Sequence, residues 1–365
     1  MLKKLFFILI SGVCALSTSA QQLEWSVDMN AVLNNREGGD NETPAQTFIF
    51  TRITPQIGVS MDHGRHSIMG GVTWYQPMID NLAEYKVLPA LHYHYKDSRK
   101  GYEFKFGVIP NELNNNIALF LRSDSINYVQ PNIKGAVINI QKPHFWLYSW
   151  FDWRQFRTNY KREAFDATAQ VGWRTTKGYN HLSASAILRY NHLAKSYKNP
   201  LENEGVVDNV VLSPQLGFTH HWHNGKISAW AGMLLTLDRD RIESSKWHTQ
   251  AGFIGHLTGS WRWLSLIENI YAGKRQMPLY EKYGSLLYQG DQYYHNKFYS
   301  RTDLVATIFS RDFLNLEARL TFHATDKTTA FWQQLAVRFY LDRNLWNLHK
   351  KHKKGTNGIA LQSQF

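Results

Sequence analysis

Cysteine is nearly absent from this chain: Cys14 is the only one. A lone thiol makes no internal disulfide and no thiolate metal site, so the fold must rest on hydrogen bonding and packing. Long apolar runs are missing too. Beyond the N-terminus no stretch approaches the ~20 consecutive apolar residues that a membrane-spanning helix needs, and the mean hydropathy is −0.42. An ordinary helical membrane protein is excluded. Acidic residues are in deficit, 29 against 41 Lys and Arg, which gives a net charge of +12. Such a balance can mark a nucleic-acid binder, but the N-terminus argues for export and hence for no nucleic-acid partner.

That N-terminus, MLKKLFFILISGVCALSTSA, carries two lysines, a short apolar run and small residues ending at Ala20. It reads as a secretory signal peptide cleaved after Ala20. Lipid attachment at Cys14 is disfavoured by Val13 and Ser11. The expected organisation is a signal peptide over 1–20, a transmembrane β-barrel over 21–342, and a basic periplasmic tail or closing strand over 343–365.

What is abundant is aromatic: 14% of the chain, with 13 Trp, 19 Tyr and 20 Phe. Such rings favour strands and surfaces where oil meets water. The stretch Phe313–Asp342 shows the pattern most cleanly. Leu314, Leu316, Ala318, Leu320 and Phe322 alternate with Asn315, Glu317, Arg319, Thr321 and His323, and a second arm returns with Phe331, Leu335, Val337, Phe339 and Leu341 on one side. Successive strand side chains point to opposite faces, so each arm has an oily and a polar side. From Gln22 onward the chain divides into about sixteen such segments, the run 261–272 least regularly because Glu268 is out of phase.

The connections are sorted. Tight turns fall near Asp62, Asp97, Lys142, Lys177, Asn224, Gly259 and Arg311, and they alternate with longer polar links. Asn224-Gly225 is the strongest hairpin signal, since the pair favours φ > 0. Short turns on one side, long loops on the other and strands with one apolar face describe an outer-membrane barrel.

The polar faces are too charged for a dry core. They carry Arg52, Lys86, Lys105, Arg174, Arg189, Arg301, Arg319 and Arg338, with Glu24, Asp28, Glu84, Glu103, Asp152, Asp166, Asp303 and Glu317. Burying these ions between two sheets would cost several kcal/mol for each imperfect pair; a water-filled lumen removes most of that penalty. The leader ending at Ala20, the alternating strands, the sorted loops and the terminal Phe365 together resemble a Gram-negative outer-membrane β-barrel, porin-like. The resemblance implies an all-β, transmembrane antiparallel up-and-down barrel of about sixteen strands in the cell outer membrane. It implies outer-membrane lipid, small hydrophilic solutes and the barrel-assembly machinery as partners, leaves homo-oligomerisation open, and calls for no cofactor.

The expected function is a channel for passive or weakly selective diffusion of small hydrophilic solutes. Its expected pore lining is Arg122, Asp124, Lys86, Lys105, Asp166, Arg174, Arg189, Arg301, Asp303, Glu317, Arg319 and Arg338. Within it, segment 109–132 either folds inward as a constriction around Arg122 and Asp124 or caps the rim. Alternatives are a non-transporting barrel that anchors or assembles surface polymer, and a barrel hydrolase with a rim active site. For the hydrolase, no motif ties a serine to a histidine. His221 with His223, and His92 with His94, are read as interfacial histidines rather than metal ligands. The Tyr-rich stretch 279–299 is read as an aromatic rim at the membrane surface rather than a sugar-stacking loop. In the tail, Leu345, Trp346 and Leu348 precede Lys350, Lys351, Lys353 and Lys354, and the segment is read as a solvated, disordered tail rather than one lying on the inner leaflet.

Overall fold

Sixteen antiparallel strands, each hydrogen-bonded to its sequence neighbours, close on themselves where β1 (Gln22–Gly38) pairs with β16 (Thr329–Asp342). The structure, a computed structural model, describes residues 21–39, 45–78, 85–110, 117–130, 132–176, 180–198, 205–243 and 246–354. Closure leaves no unpaired strand edge to face hydrocarbon, the condition for a sheet to cross a bilayer. The barrel is therefore sealed by Thr329–Asp342. Residues 355–365, considered above as a closing strand, lie outside the described residues, as do the leader 1–20 and Glu84.

Alternation decides the two surfaces. On β9 (His181–Leu193) Leu182 and Leu188 are exposed while Ile187, Arg189 and Leu193 are buried, and on β10 (Val207–Trp222) Leu212 and Leu216 face out while Asn209, Val211 and Ser213 face in. A strand with period two allows no other sorting once one face meets lipid. The tight turns, the start of β1 and the end of β16 lie at one rim and the longer links at the other, the arrangement in which short turns face the periplasm in outer-membrane barrels. There α3 (Arg343–Lys354) begins, and Trp346 packs edge-on against Trp25 at 6.3 Å between centroids.

Several local expectations change. β1 continues through the polar Asn34 and Asn35 to Gly38, because β2 (Gln46–Met61) and β16 pair with it along its length. The Asn224-Gly225 hairpin forms, with Trp222 opposite Gly225, but neither residue takes positive φ. Left-handed turn residues are found instead at Asp62 and His63, with φ of 55° and 56°, and at Arg262, with φ of 54°. β2 runs straight through Pro55: the proline pairs with Val27 on one side, while on the other the ladder to β3 (His66–Pro77) skips from Ile53–Trp74 to Gln56–Gly71. Proline has no N–H to give there. Gly71 completes the arrangement, since a Cβ would collide with the Pro55 carbonyl oxygen.

Candidate functional site

Two of the outer links turn inward and fill the upper lumen. The first carries Phe120, Leu121, Arg122 and α1 (Asp124–Val129), which Ser123 caps by accepting from the Ile126 N–H. The second carries α2 (Tyr280–Leu287) and a 3-10 turn over Gln292–His295. Tyr283, Leu287, Tyr288, Tyr293 and Tyr294 are buried on it, so the expected aromatic rim is instead the core of the plug. The rings pack on one another and on the wall: Tyr293 stacks on Tyr299 and His323, and Tyr294 meets Tyr271 at 5.4 Å. A loop with that many apolar atoms is more stable against the barrel interior than in water.

Two wall arginines clamp both inserted links. Arg189 on β9 pairs with Asp166 of β8 (Ala164–Arg174) at 3.3 Å, donates to the Leu121 carbonyl on the first link, and reaches Gln289 on the second at 3.0 Å. Arg301 on β14 (Phe298–Arg311) lies 3.0 Å from Asp303, 2.8 Å from Asp124 on the first link, and 4.0 Å from Asp291 on the second. Burial opposes the Asp124 charge, but the Arg301 and Arg319 cations and the Arg301 hydrogen bond outweigh it and hold the carboxyl down at about 2. Burial lowers Arg122 to about 10, although Asp152 and Asp166 pull the other way. A third tie joins the second link to β11 (Gly225–Asp240): Tyr288 donates to Asp238 at 2.7 Å, and Tyr283 and Lys282 both donate to Asp240.

The residues expected to line a pore thus divide. Arg122, Asp124, Asp166, Arg189, Arg301 and Asp303 converge in this plug. Lys105 is buried in the wall beside Glu103 at 3.6 Å. Glu317 accepts from Asn315 at 2.8 Å, and Arg338 faces Asp28 at 3.7 Å, with Arg319 on the same lumen-facing row as Glu317. Lys86 begins β4 (Lys86–Asp97) at the outer rim, exposed. Arg174 is spent on the periplasmic turn, donating to the carbonyls of Lys142 and Pro143. A cavity of about 310 Å³ remains between plug and wall, lined by Arg36, Asp124, Tyr280, Asp291, Tyr293 and Trp332 among others. Among the described residues no three His, Cys, Asp or Glu side chains converge as a metal site.

A second cluster lies on the opposite surface, at the outer rim and facing away from the lumen. Asp208 on β10 stands directly across from His192 on β9 and from Arg239 on β11. Its carboxylate is covered: His192 Nδ1 is 3.2 Å away, Tyr190 donates at 2.8 Å, and Arg239 and Arg241 each donate at 2.9 Å. His192 lies against Phe165 with ring centroids 5.0 Å apart and the planes tilted by 30°, and its Nε2 makes no hydrogen bond among the described residues. Arg239 lies over the Trp247 ring at 4.4 Å, with its Nε buried and without a partner among the described residues. Further round the rim, Trp153 stacks on Phe156, and Trp153 Nε1 and Arg157 Nε are buried donors without an acceptor among the described residues. Below the dyad the outward row turns apolar at Leu188 and Leu212. Nothing in the sequence flags this site, because His192 and Asp208 are brought together only by strand pairing across a loop.

Closed sixteen-stranded topology, an apolar outer belt and inward-folded links define an outer-membrane β-barrel of porin type. Solved porins share that fold: OpdK of Pseudomonas aeruginosa, solved with vanillate, aligns over 88% of this chain and 99% of its own at a TM-score of 0.52 and 10% identity. OccK2 (OpdF) of the same organism aligns over 89% and 100% at 0.52 and 11%, and a BenF-like porin from Pseudomonas fluorescens Pf-5 over 88% and 99% at 0.51 and 11%. No curated protein matches the sequence. The chain belongs to the lipid A 3'-O-deacylase-type family, whose match spans residues 15–348.

Proposed function

We propose that this barrel is an acyl hydrolase of the outer leaflet, removing an ester-linked acyl chain from a glycolipid of the lipid A type at the His192–Asp208 cluster. The observation that carries the reading is the outward His192–Asp208 pair at the level where the wall passes from leucines to arginines. Asp208 holds the Nδ1–H tautomer and leaves Nε2 as the base. His192 takes a proton from water as that water adds to the ester carbonyl; the C–O bond to the sugar then breaks, and the departing alkoxide takes the proton back. The Arg239 and Arg241 guanidinium groups beside Asp208 suit an anionic headgroup. Family membership supports the same chemistry.

The test is mass spectrometry of lipid A after incubation with the folded protein in mixed micelles. Loss of one acyl chain by wild type, and none by His192→Ala, is expected; an unchanged lipid mass with wild type refutes the reading. A second reading, diffusion of small hydrophilic solutes, draws on the porin fold and the lumen cavity of about 310 Å³. Planar-bilayer conductance by the intact barrel would support it.

A further inference from the structure

The cavity between plug and wall opens toward the outer rim and ends on a buried floor. Gln46 and Ser285 are exposed at its mouth, while Asp291, Tyr293 and Trp332 are buried at its base. Its volume of about 310 Å³ stands at the lower end of the ~300–1,000 Å³ that small-molecule sites occupy. The two inserted links are zipped together beside it: the Ser123 N–H donates to the Gln289 carbonyl at 2.7 Å, and the Asp291 N–H to the Leu119 carbonyl at 2.8 Å. Gly290 lets the two backbones touch, because a Cβ there would collide with the Phe120 carbonyl oxygen. The floor is thus set before any ligand arrives, which lowers the cost of binding one.

The lining offers hydrogen-bonding groups of both kinds. Asp124 gives Oδ2 to Arg301 at 2.8 Å, and its Oδ1 accepts from no group among the described residues, with 23% of the side chain exposed. The Ser125 hydroxyl accepts from Arg36 at 3.1 Å and keeps its own proton to donate. Gln292 donates to the Tyr280 hydroxyl, so its carbonyl oxygen remains an acceptor, and the Gln46 amide makes no hydrogen bond among the described residues. Rings form the rest of the wall: the half-buried Tyr280 lies over Tyr288 with centroids 6.3 Å apart, and Trp332 stands between Arg36 and Tyr293. Charge is balanced. Asp124 and Asp291 face Arg36 across the cavity, with Arg301 behind both carboxylates, and deeper in the lumen Asp303 and Arg319 add one charge of each sign.

We propose that this cavity is a binding site for a neutral sugar of one or two rings, entered from the outer face of the barrel. A sugar ring carries hydroxyls that donate and accept around its edge and C–H groups on its faces. The edge suits the mixed set of Asp124 Oδ1, Ser125, Gln292 and Gln46, and a face suits the Tyr280 ring. An added anion would meet Asp124 and Asp291, and an added cation would meet Arg36 and Arg301, so the balance selects a ligand without net charge. The tyrosines of the second link then serve twice, packing the plug and walling the site. The site lies apart from the His192–Asp208 cluster and rests on neither hydrolysis nor conduction.

The test is saturation-transfer difference NMR on the folded barrel in an amine-oxide detergent, since glycoside detergents would compete for the site. The probes are glucose, galactose and maltose, with glucuronate and glucosamine as charged counterparts. At least one neutral sugar is expected to bind with a Kd below about 10 mM, and about tenfold or more tighter than either charged one. Ser285→Trp, which fills the mouth from an exposed position, should weaken that binding by about tenfold or more, and Gln46→Leu by a smaller factor. Heat-modifiable migration on gels confirms that each variant is folded. Transfer to the three neutral sugars no greater than in empty micelles, equal or tighter binding of glucuronate or glucosamine, or a Ser285→Trp barrel that binds as wild type does overturns the proposal.

Discussion

Arg301 Nη2 lies 2.8 Å from Asp124 Oδ2, and this one contact joins strand β14 to the first inserted link. Because the same guanidinium also faces Asp303 and Asp291, removing it strands three acidic groups in a buried site. Arg301→Met is expected to destabilise the barrel by about 3–5 kcal/mol. Urea unfolding in detergent, followed by tryptophan fluorescence, measures it; a loss below about 1 kcal/mol would show that the plug does not depend on this arginine.

The same pair sets a pH dependence. Asp124 is held at about 2 in the folded protein, against an unfolded value of about 3.9. A depressed carboxyl contributes stability that is fully present above the unfolded value and lost as pH falls through the folded one. About 2 kcal/mol should therefore disappear between roughly pH 4 and pH 2. Comparing thermal midpoints of wild type and Asp124→Asn across that range tests it, because the asparagine variant lacks this share of the slope.

Tyr288 donates to Asp238 at 2.7 Å inside the plug. Burial and the Asp238 charge together raise the phenol far above its ordinary value, so it stays a donor throughout the working range. Tyr288→Phe leaves a buried carboxylate short of one partner and should cost about 1–3 kcal/mol. The expected readout is a lowered midpoint with faster proteolysis within 273–297.

At the rim, Asp208→Asn preserves shape but no longer favours the Nδ1–H tautomer of His192. Hydrolysis should fall by about 10²- to 10⁴-fold while Tyr190→Phe, which removes one of the donors on Asp208, costs much less. Initial rates of acyl release from lipid A measure both, with heat-modifiability as the folding control.

If the two inserted links close the lumen, deleting 117–128 should raise single-channel conductance several-fold over wild type, since the plug then lacks Leu121 and the Asp124 clamp. Equal conductance would place the barrier elsewhere.

The barrel itself was legible in the residues. Period-two alternation from Leu314 to Phe322 and from Leu182 to Tyr190 leaves one oily and one charged face, and the sorted turns imply closure; both follow from local geometry. Even the misfit at Glu268 was visible as a broken phase in 261–272, and the structure places that side chain on the lipid side. The interior was not legible to the same degree. The Tyr-rich stretch 279–299 carries no periodicity that says whether its rings turn to the membrane surface or to the lumen, and only packing against Tyr271, Tyr299 and His323 decides.

The sequence by itself determined strand count, the two-faced wall and the sorting of loops, because a pleated strand exposes alternate side chains whatever surrounds it. Only the tertiary structure decided what the charges do. Arg189 and Arg301 look like pore lining in a linear reading, yet they are clamps on two folded-in links, and His192 meets Asp208 only because β9 pairs with β10 in one register. Register and loop docking are set by contacts between residues far apart in the chain, which no local pattern encodes.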